Sequence, residues 1–354
     1  MSAHPTRVAA DELRRFTRDL FVAKGMPAAD AATVADVLVW ANLRGVDTHG
    51  VSRAPSYLGW IDRGDLNPRP SIRLTTDTPA AAVIEADRAA GPVAMVRAMH
   101  EAATRARSIA IGMSFVRATT HTGALGYYAR LAAEQGLAGI AMSASSALMA
   151  YHGARAAGVS TAPIAIGVPG GGTGTSDAIV FDMSPGLVSM GRLAQARRSG
   201  ESIPTGWALD RGGNPTTDPA TAAIPLPLGG PKGSGLALMV ELITSLVVAN
   251  PLLAESLEGT PQGKLQRMNG LVIAIDIARF TSVEKFRGEV ERLIADVKRL
   301  PVDPAAGEIL MPGERGDRMN AKRVREGIPL SAAMIADLAA LASQLGVTPL
   351  AQMF

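Results

Sequence analysis

The sequence predicts an α/β chain with helical ends and a centre in which strands alternate with Ala-rich helices. Three observations carry this expectation. Apolar residues recur at helical spacing up to Gly64. From about residue 72, short apolar runs alternate with amphipathic segments. Helical periodicity then returns after Ser331. The chain has 354 residues, 47% of them hydrophobic and 19% charged, so it forms a sizeable core and is not a disordered segment. At roughly 150 residues per domain, this length predicts about two domains. Residues 1–70 and 315–354 are expected to form a helical domain. Residues 71–314 are expected to form the α/β region, which can divide into two subdomains.

The elements follow in order. Leu13, Phe16, Leu20 and Phe21 repeat on one helical face until Gly25, and Val34, Val37, Leu38 and Ala41 repeat until Gly45. A third helix is expected from about Ser52, because Pro55 is tolerated only in a first turn. Ile111 to Ala118, Gly123 to Gln135 and Leu137 to Ser143 predict a βαβ unit, and hence a parallel or mixed sheet. Ile164 to Val168, Ala178 to Phe181 and Gly270 to Ile277 predict further strands. Val283 to Leu300 predicts a charged amphipathic helix, and Ser331 a cap for the last one. The apolar stretch from Gly235 to Pro251 carries Glu241 and is too short to span a bilayer, so it predicts a buried helix.

Composition excludes several classes of function. The 35 Lys+Arg nearly balance the 32 Asp+Glu, and only 4% of residues are aromatic, which argues against a nucleic-acid binder. The basic run from Ala321 to Arg325 is expected to be a solvated helix face. There is no cysteine, so disulfides, thiolate zinc sites and thiol nucleophiles are excluded. Met1 to Pro5 lack the apolar core of a secretory leader, and a cytoplasmic protein without membrane attachment is expected.

Few residues can carry acid–base chemistry. Of the five histidines, His49 and His121 each occupy a short polar loop before a helix, where the helix end favours a neutral imidazole. The plain alternative is a loop histidine bonded to backbone. Arg53, four residues after His49, can grip a carboxylate with two parallel hydrogen bonds; otherwise it is a surface arginine. Asp182 ends a predicted strand, where it can orient His49 or merely cap a turn. Gly229 to Gly235, with Lys232 inside, opens the apolar helix in a form suited to a phosphate. Neither a P-loop nor the Rossmann fingerprint is present, since Gly170 to Gly174 lacks the third glycine at the right place.

Together these residues resemble a known family. Arg44-Gly45-Val46-Asp47-Thr48-His49-Gly50-Val51-Ser52-Arg53 is similar to the RGxxSHGxxR signature of the malate/L-lactate dehydrogenase family. That family includes ureidoglycolate, sulfolactate and diketogulonate dehydrogenases and cyclic imino-acid reductases. The similarity continues through His121 to Tyr128, Phe181-Asp182-Met183 and Ile203 to Asp210. It runs on through Thr216 to Pro219, Gly230-Pro231-Lys232-Gly233 and Met311-Pro312-Gly313-Glu314, all in family order.

The resemblance implies a non-Rossmann dinucleotide fold with a mixed sheet, and NAD or NADP as cofactor. It also implies hydride transfer to or from a small 2-hydroxy or 2-oxo acid in a homodimer or higher homo-oligomer, with no resident metal. By position, His49 resembles the acid–base residue, Thr48 its relay neighbour, Asp182 the partner carboxylate and Arg53 the carboxylate clamp. His121 is the alternative acid–base residue; the two stay open, with His49 preferred. His121, Thr122, Gly123, Ala124 and Leu125 resemble cofactor contacts, as do Ser143, Thr161, Lys232, Pro312, Gly313, Glu314 and Arg315. A cyclic imino-acid reductase is the runner-up, and a catalytically weak structural member comes third. Four departures stand out: Thr48 for the usual Ser, Thr122 for Phe, Ser160-Thr161-Ala162-Pro163 for GTNP, and Ser184-Pro185-Gly186 for Ala-Thr-Ser.

Overall fold

A computed structural model describes residues 6–171, 178–258 and 267–351. Met1 to Pro5 and part of the Gly170 to Gly174 run lie outside the described residues. The chain opens with β1 (Thr6–Val8), α1 (Ala10–Ala23), α2 (Ala28–Leu43) and α3 (Ala54–Asp62). Then come β2 (Arg73–Asp77), β3 (Ala81–Glu85), α4 (Gly91–Ile109), β4 (Ile111–Thr119), α5 (Gly126–Ala133) and β5 (Leu137–Ser145). The short β6 (Met149–Ala150) and β7 (Ala157–Val159) precede β8 (Ile164–Pro169), β9 (Ala178–Met183) and α6 (Met190–Ser199). A small three-stranded sheet follows, made of β10 (Ala208–Leu209), β11 (Pro215–Thr216) and β12 (Ile224–Pro225). The chain closes with α7 (Pro231–Glu241), α8 (Leu253–Leu257), β13 (Met268–Asp276), α9 (Val283–Lys298), α10 (Glu314–Glu326), β14 (Ile328–Leu330) and α11 (Ala332–Leu345).

The main sheet has seven strands in the order β2-β3-β4-β13-β5-β8-β9. Only β3 and β4 pair in parallel; every other neighbouring pair is antiparallel. The expected βαβ unit is therefore split. β4 and β5 run the same way, but β13 lies between them, antiparallel to both. Late insertion of the central strand leaves no local trace in residues 111–145, so that periodicity could not reveal it.

Small side chains let the helices approach the sheet. Ala98, Met99, Ala102 and Ala106 of α4 share a fully buried cluster with Val116, Ala141, Val272 and Ala274. A second cluster joins the apolar faces of α1, α2 and α3 to Ile328, Leu330, Leu338 and Ala342. There β1 pairs with β14, so the two ends of the chain meet.

Several expectations need correction. The third helix starts at Ala54, after a tight turn over Val51–Arg53. α5 starts at Gly126 rather than Gly123, which takes φ +71°. The stretch from Gly235 to Pro251 is not a buried helix: it relaxes into a π turn at Leu242–Leu246 and leaves Leu236, Met239, Ile243, Leu246 and Val247 outward. Glu241 is buried there, accepting Leu252 N–H at 3.1 Å and Leu253 N–H at 3.0 Å. In the basic run, Lys322 and Arg325 are exposed but Arg323 is buried. Ser331 does cap α11, accepting Met334 N–H at 3.2 Å. No helix among the described residues is long and apolar enough to cross a membrane.

Candidate active site

The segment between α2 and α3 is too glycine-punctuated to continue either helix, and it folds into two successive tight turns, Asp47–His49 and Val51–Arg53. The first carries Thr48 and His49, and the second ends on Arg53. Arg53 Nε donates to the Thr48 carbonyl at 2.7 Å, which bends the guanidinium back over the histidine turn. Thr48 Oγ1 lies 3.1 Å from His49 Nδ1. Arg53 has no carboxylate partner among the described residues.

His121 arrives from the other direction, on the loop leaving β4. Its ring stacks on His49 with centroids 5.4 Å apart and planes inclined by 27°. Tyr57 Oη lies 2.7 Å from His121 Nδ1 and 3.1 Å from the His121 carbonyl oxygen. Gly123 N–H reaches the same Nδ1 at 3.3 Å. The residues after His121 are packed inward: Thr122, Ala124 and Leu125 are buried, and the Thr122 carbonyl accepts from the Tyr128 hydroxyl. These three are among the expected cofactor contacts; their side chains are buried, and the Thr122 backbone ties the histidine loop to α5.

Burial and one cation set the charge of both rings. Desolvation, with the Arg53 charge added, pushes His49 down to about 4. The same causes, joined by His49, hold His121 well below the ordinary histidine range. Burial raises Tyr57 against the pull of Arg53, so its hydroxyl stays protonated. At neutral pH the site therefore presents two neutral imidazoles beside a fixed positive charge.

Asp182 does not join this group. It lies within β9 rather than ending the strand, and its carboxylate accepts Gly126 N–H at 2.7 Å instead of bonding His49. It lines a cavity of about 210 Å³ with Trp40, Arg44, Pro312, Gly313 and Arg315. The residue keeps exposed surface, yet burial of its carboxyl in that cavity wall pushes it up to about 6, against Gly126 N–H and Arg44. Trp40 Nε1 in the same wall is buried with no partner. Glu314, expected as a cofactor contact, is buried outside this lining. Burial would raise its carboxyl, but Lys298, Met311 N–H and Arg318 hold it at about 2. Its role is to tie α9 to α10.

Ser143 in β5, the loop at Thr161 and the start of α7 at Lys232 are joined by one series of hydrogen-bonded segments. Ser143 N–H donates to Pro163 O at 3.2 Å, and its buried hydroxyl donates to Asn269 O at 3.1 Å. Ser184 Oγ donates to Thr161 O at 2.8 Å. Leu228 N–H then bonds Pro185 O at 2.7 Å, just before the glycine turn. Gly229 and Gly230 both take φ +59°, a conformation that a side chain resists, and they deliver the chain to α7 with Pro231 in its first turn. Lys232 is exposed beside this helix start. The Lys232 ammonium at this helix start, and the exposed Arg315 lining the cavity beside Asp182, are cations of the kind that a dinucleotide's phosphates require.

Sequence reasoning missed Tyr57 and Asn42. Tyr57 was findable: it follows Arg53 by four residues, so a helix puts both on one face. Asn42 gave no signal, because its side chain bonds Asp47 and Val51 only once the turn has folded back on the end of α2.

Comparison with known proteins agrees with the resemblance. A family profile described as malate/L-lactate dehydrogenase matches residues 8–339. An L-sulfolactate dehydrogenase of Methanocaldococcus jannaschii is 35% identical over 91% of this chain and 92% of its own length. The structure of a malate dehydrogenase from Pyrococcus horikoshii superposes with a TM-score of 0.87, at 31% identity over 97% of each chain. A Δ1-piperideine-2-carboxylate reductase structure from Pseudomonas syringae superposes at 0.83, with 28% identity over 95% of this chain and 99% of that one. Relatives are named for NAD(+) or NADP(+). The chain belongs to the malate/L-lactate dehydrogenase family.

Proposed function

We propose that this family member is an NAD(P)-dependent oxidoreductase that interconverts a small 2-hydroxy acid and its 2-oxo acid. Arg53 holds the carboxylate and His121 moves the proton. The observation that carries this reading is the unpaired Arg53 guanidinium, fixed by its Nε beside two stacked, neutral imidazoles. A cation with no partner in a desolvated site is suited to an anionic substrate. A carboxylate bound there offsets the charge that depresses both histidines, so substrate binding itself raises their proton affinity.

Bound NAD(P)(H) supplies or accepts the hydride; the chain's own groups manage charge and protons. The sequence leaves both histidines open for the proton, with His49 preferred; the Tyr57 contact favours His121. When Tyr57 Oη–H donates to Nδ1, the ring proton sits on Nε2. Gly123 N–H donates to the same Nδ1 and favours that state; for Nε2 to act as a base, the Gly123 contact has to open as the Tyr57 hydroxyl turns to the His121 carbonyl and accepts from Nδ1–H. Tyr57 is thereby the third group that orients the ring. His49 has only its chain neighbour Thr48 for that task, and is better suited to hydrogen-bonding the substrate.

A cyclic imino acid presents the same carboxylate beside C=N, and the similarity to the piperideine-carboxylate reductase structure supports it as second reading. Lys232 would hold a phosphate through its exposed ammonium, and Pro312, Gly313 and Arg315 would line the dinucleotide's path. The largely antiparallel sheet supports a non-Rossmann dinucleotide fold, and the core shared by both chain ends supports a helical unit of residues 1–70 and 315–354. The outward apolar stripe on α7 supports a homodimer or higher homo-oligomer, and the absence of cysteine supports a cytoplasmic location. The test is a screen of 2-oxo acids and cyclic imino acids against NADH and NADPH, following absorbance of the reduced cofactor. Turnover of uncharged ketones in preference to every acid would overturn the reading.

A further inference from the structure

We propose that Arg323 is a positioning residue for the substrate-binding turn, acting on it from the opposite end of the sequence. Its guanidinium grips Asp47, the first residue of the histidine turn, with Nη1 at 2.6 Å from Oδ1 and Nη2 at 3.0 Å from Oδ2. The same Nη1 donates to the Asn42 carbonyl at the end of α2. Asn42 completes the clamp: its Nδ2 donates to Asp47 Oδ1 at 2.6 Å, and its Oδ1 accepts Val51 N–H at 2.8 Å. Between them Gly50 passes so close that a Cβ would lie 2.3 Å from Asn42 Oδ1, leaving no space for a side chain. Asp47 and Val51 thus bracket Thr48, His49 and Gly50.

Two features mark this as more than a surface ion pair. Arg323 is buried, and the pairing is bidentate and shared with a backbone carbonyl, a geometry that lysine cannot reproduce. α10 also grips the loop twice in opposite senses, since Arg44 of the loop pairs with Asp317 of the helix. The clamp reaches the substrate side through one bond. Asp47 fixes the turn, the turn presents the Thr48 carbonyl, and that carbonyl holds Arg53. Releasing Asp47 lets Arg53 and His49 drift together, away from His121. The inference rests on the proposed roles of Arg53 and the histidines, so its test needs a readout independent of substrate.

Carbethoxylation of each histidine by diethylpyrocarbonate at pH 7, followed by mass spectrometry, supplies one. The exposed His100 and His152 serve as internal standards. Arg323→Met is expected to modify at His49 about ten-fold faster. Its KM for the acid substrate is expected to rise about ten-fold, and its KM for the reduced cofactor to stay within two-fold. Arg323→Lys should recover only part of both changes, and Arg325→Met, exposed on the same helix, should behave as wild type. Should Arg323→Met fail to fold, Asp47→Asn opens the clamp from its more exposed side and is read the same way. Unchanged His49 labelling and unchanged KM, with only a lower melting temperature, would overturn the proposal. Faster labelling with unchanged KM would uphold the clamp and count against Arg53 as the carboxylate grip.

Discussion

Around the two histidines, polar groups meet one another at short range: Tyr57 on His121, Thr48 on His49, the Thr48 carbonyl on Arg53. The residues assigned to the cofactor are arranged differently. Lys232 and Arg315 are exposed, Ser143 and Glu314 are committed to other protein groups, and one serine hydroxyl joins the Thr161 loop to the next. The first region is preorganised, so in the proposed reading it would meet substrate with its charges already placed. The second would offer exposed cations to a much larger ligand. Preorganisation puts more energy on each residue, so substitutions on the histidine side should damage turnover and those on the cofactor side should mostly change affinity.

The largest effect should come from His121→Ala, with kcat lower by about 100-fold or more and cofactor affinity, read by nucleotide fluorescence, nearly unchanged. His49→Ala should cost less. A mutant that loses cofactor affinity but keeps turnover would erase the contrast between the two regions. Next comes Arg53→Lys, which exchanges a fork for a point charge. A charge-assisted hydrogen bond contributes about 1.5–3 kcal/mol, so KM for the acid should rise roughly 10- to 100-fold while KM for cofactor stays put. The amide of the best acid substrate should be ignored by the wild-type enzyme. Equal rates for acid and amide would show that Arg53 grips nothing. On the cofactor side, Lys232→Ala should raise KM for the dinucleotide about ten-fold at unchanged kcat, one lost charge-assisted contact.

The two regions should also part company with pH. His49 falls to about 4 in the fold, against an ordinary value of 6.5. Its depressed pKa contributes stability above 6.5 that is lost as pH falls toward 4, because the unfolded chain takes the proton first. Asp182 is raised to about 6, so its contribution is present below 3.8 and lost as pH rises through 6. His49→Gln should therefore shrink the drop in melting temperature between pH 7.5 and pH 5. Asp182→Asn should raise the melting temperature at pH 7.5 more than at pH 5. Thermal scans at the two pH values check both signs, and parallel shifts at both would show that neither group is buried as described.

Much of the histidine side was legible because its residues are close in sequence. Thr48, His49 and Arg53 lie within six positions, and the two successive tight turns before α3 fix their spacing. What joins them to the rest was hidden: Tyr57 to His121 spans three strands and the helix α4, and Asp47 to Arg323 spans most of the chain. Periodicity is a local signal and does not record which distant helix returns to a turn. The strands were found nearly in place, yet their order was not, since β13 enters between β4 and β5 after more than a hundred intervening residues. Asp182 is linked to His49 by its place at a predicted strand end and by motif position, neither of which shows its partner, and the fold gives it Gly126 N–H.

The smallest predicted effect tests the joint within the cofactor side. Two of the departures from the family pattern, Ser160-Thr161-Ala162 and Ser184-Pro185-Gly186, touch each other: Ser184 Oγ donates to Thr161 O at 2.8 Å and accepts Gly186 N–H at 3.3 Å. Ala162 takes φ +32°, which a residue with a Cβ adopts at a cost, and Ser160 Oγ accepts its N–H at 3.2 Å. The loop is thus held by two hydroxyls, Ser160 Oγ on Ala162 N–H and Ser184 Oγ on Thr161 O, where the usual sequence has Gly and Ala. Ser184→Ala removes the second without creating a cavity, and one hydrogen bond contributes about 0.5–1.5 kcal/mol. Melting temperature should fall by about 1–3 °C, and KM for the dinucleotide should rise about two- to three-fold. At saturating cofactor, kcat should be unchanged, and Ser184→Thr should restore the affinity. A fall in kcat with no change in cofactor affinity would mean that this joint serves the histidine side, and the division between the two regions would fail at its weakest link.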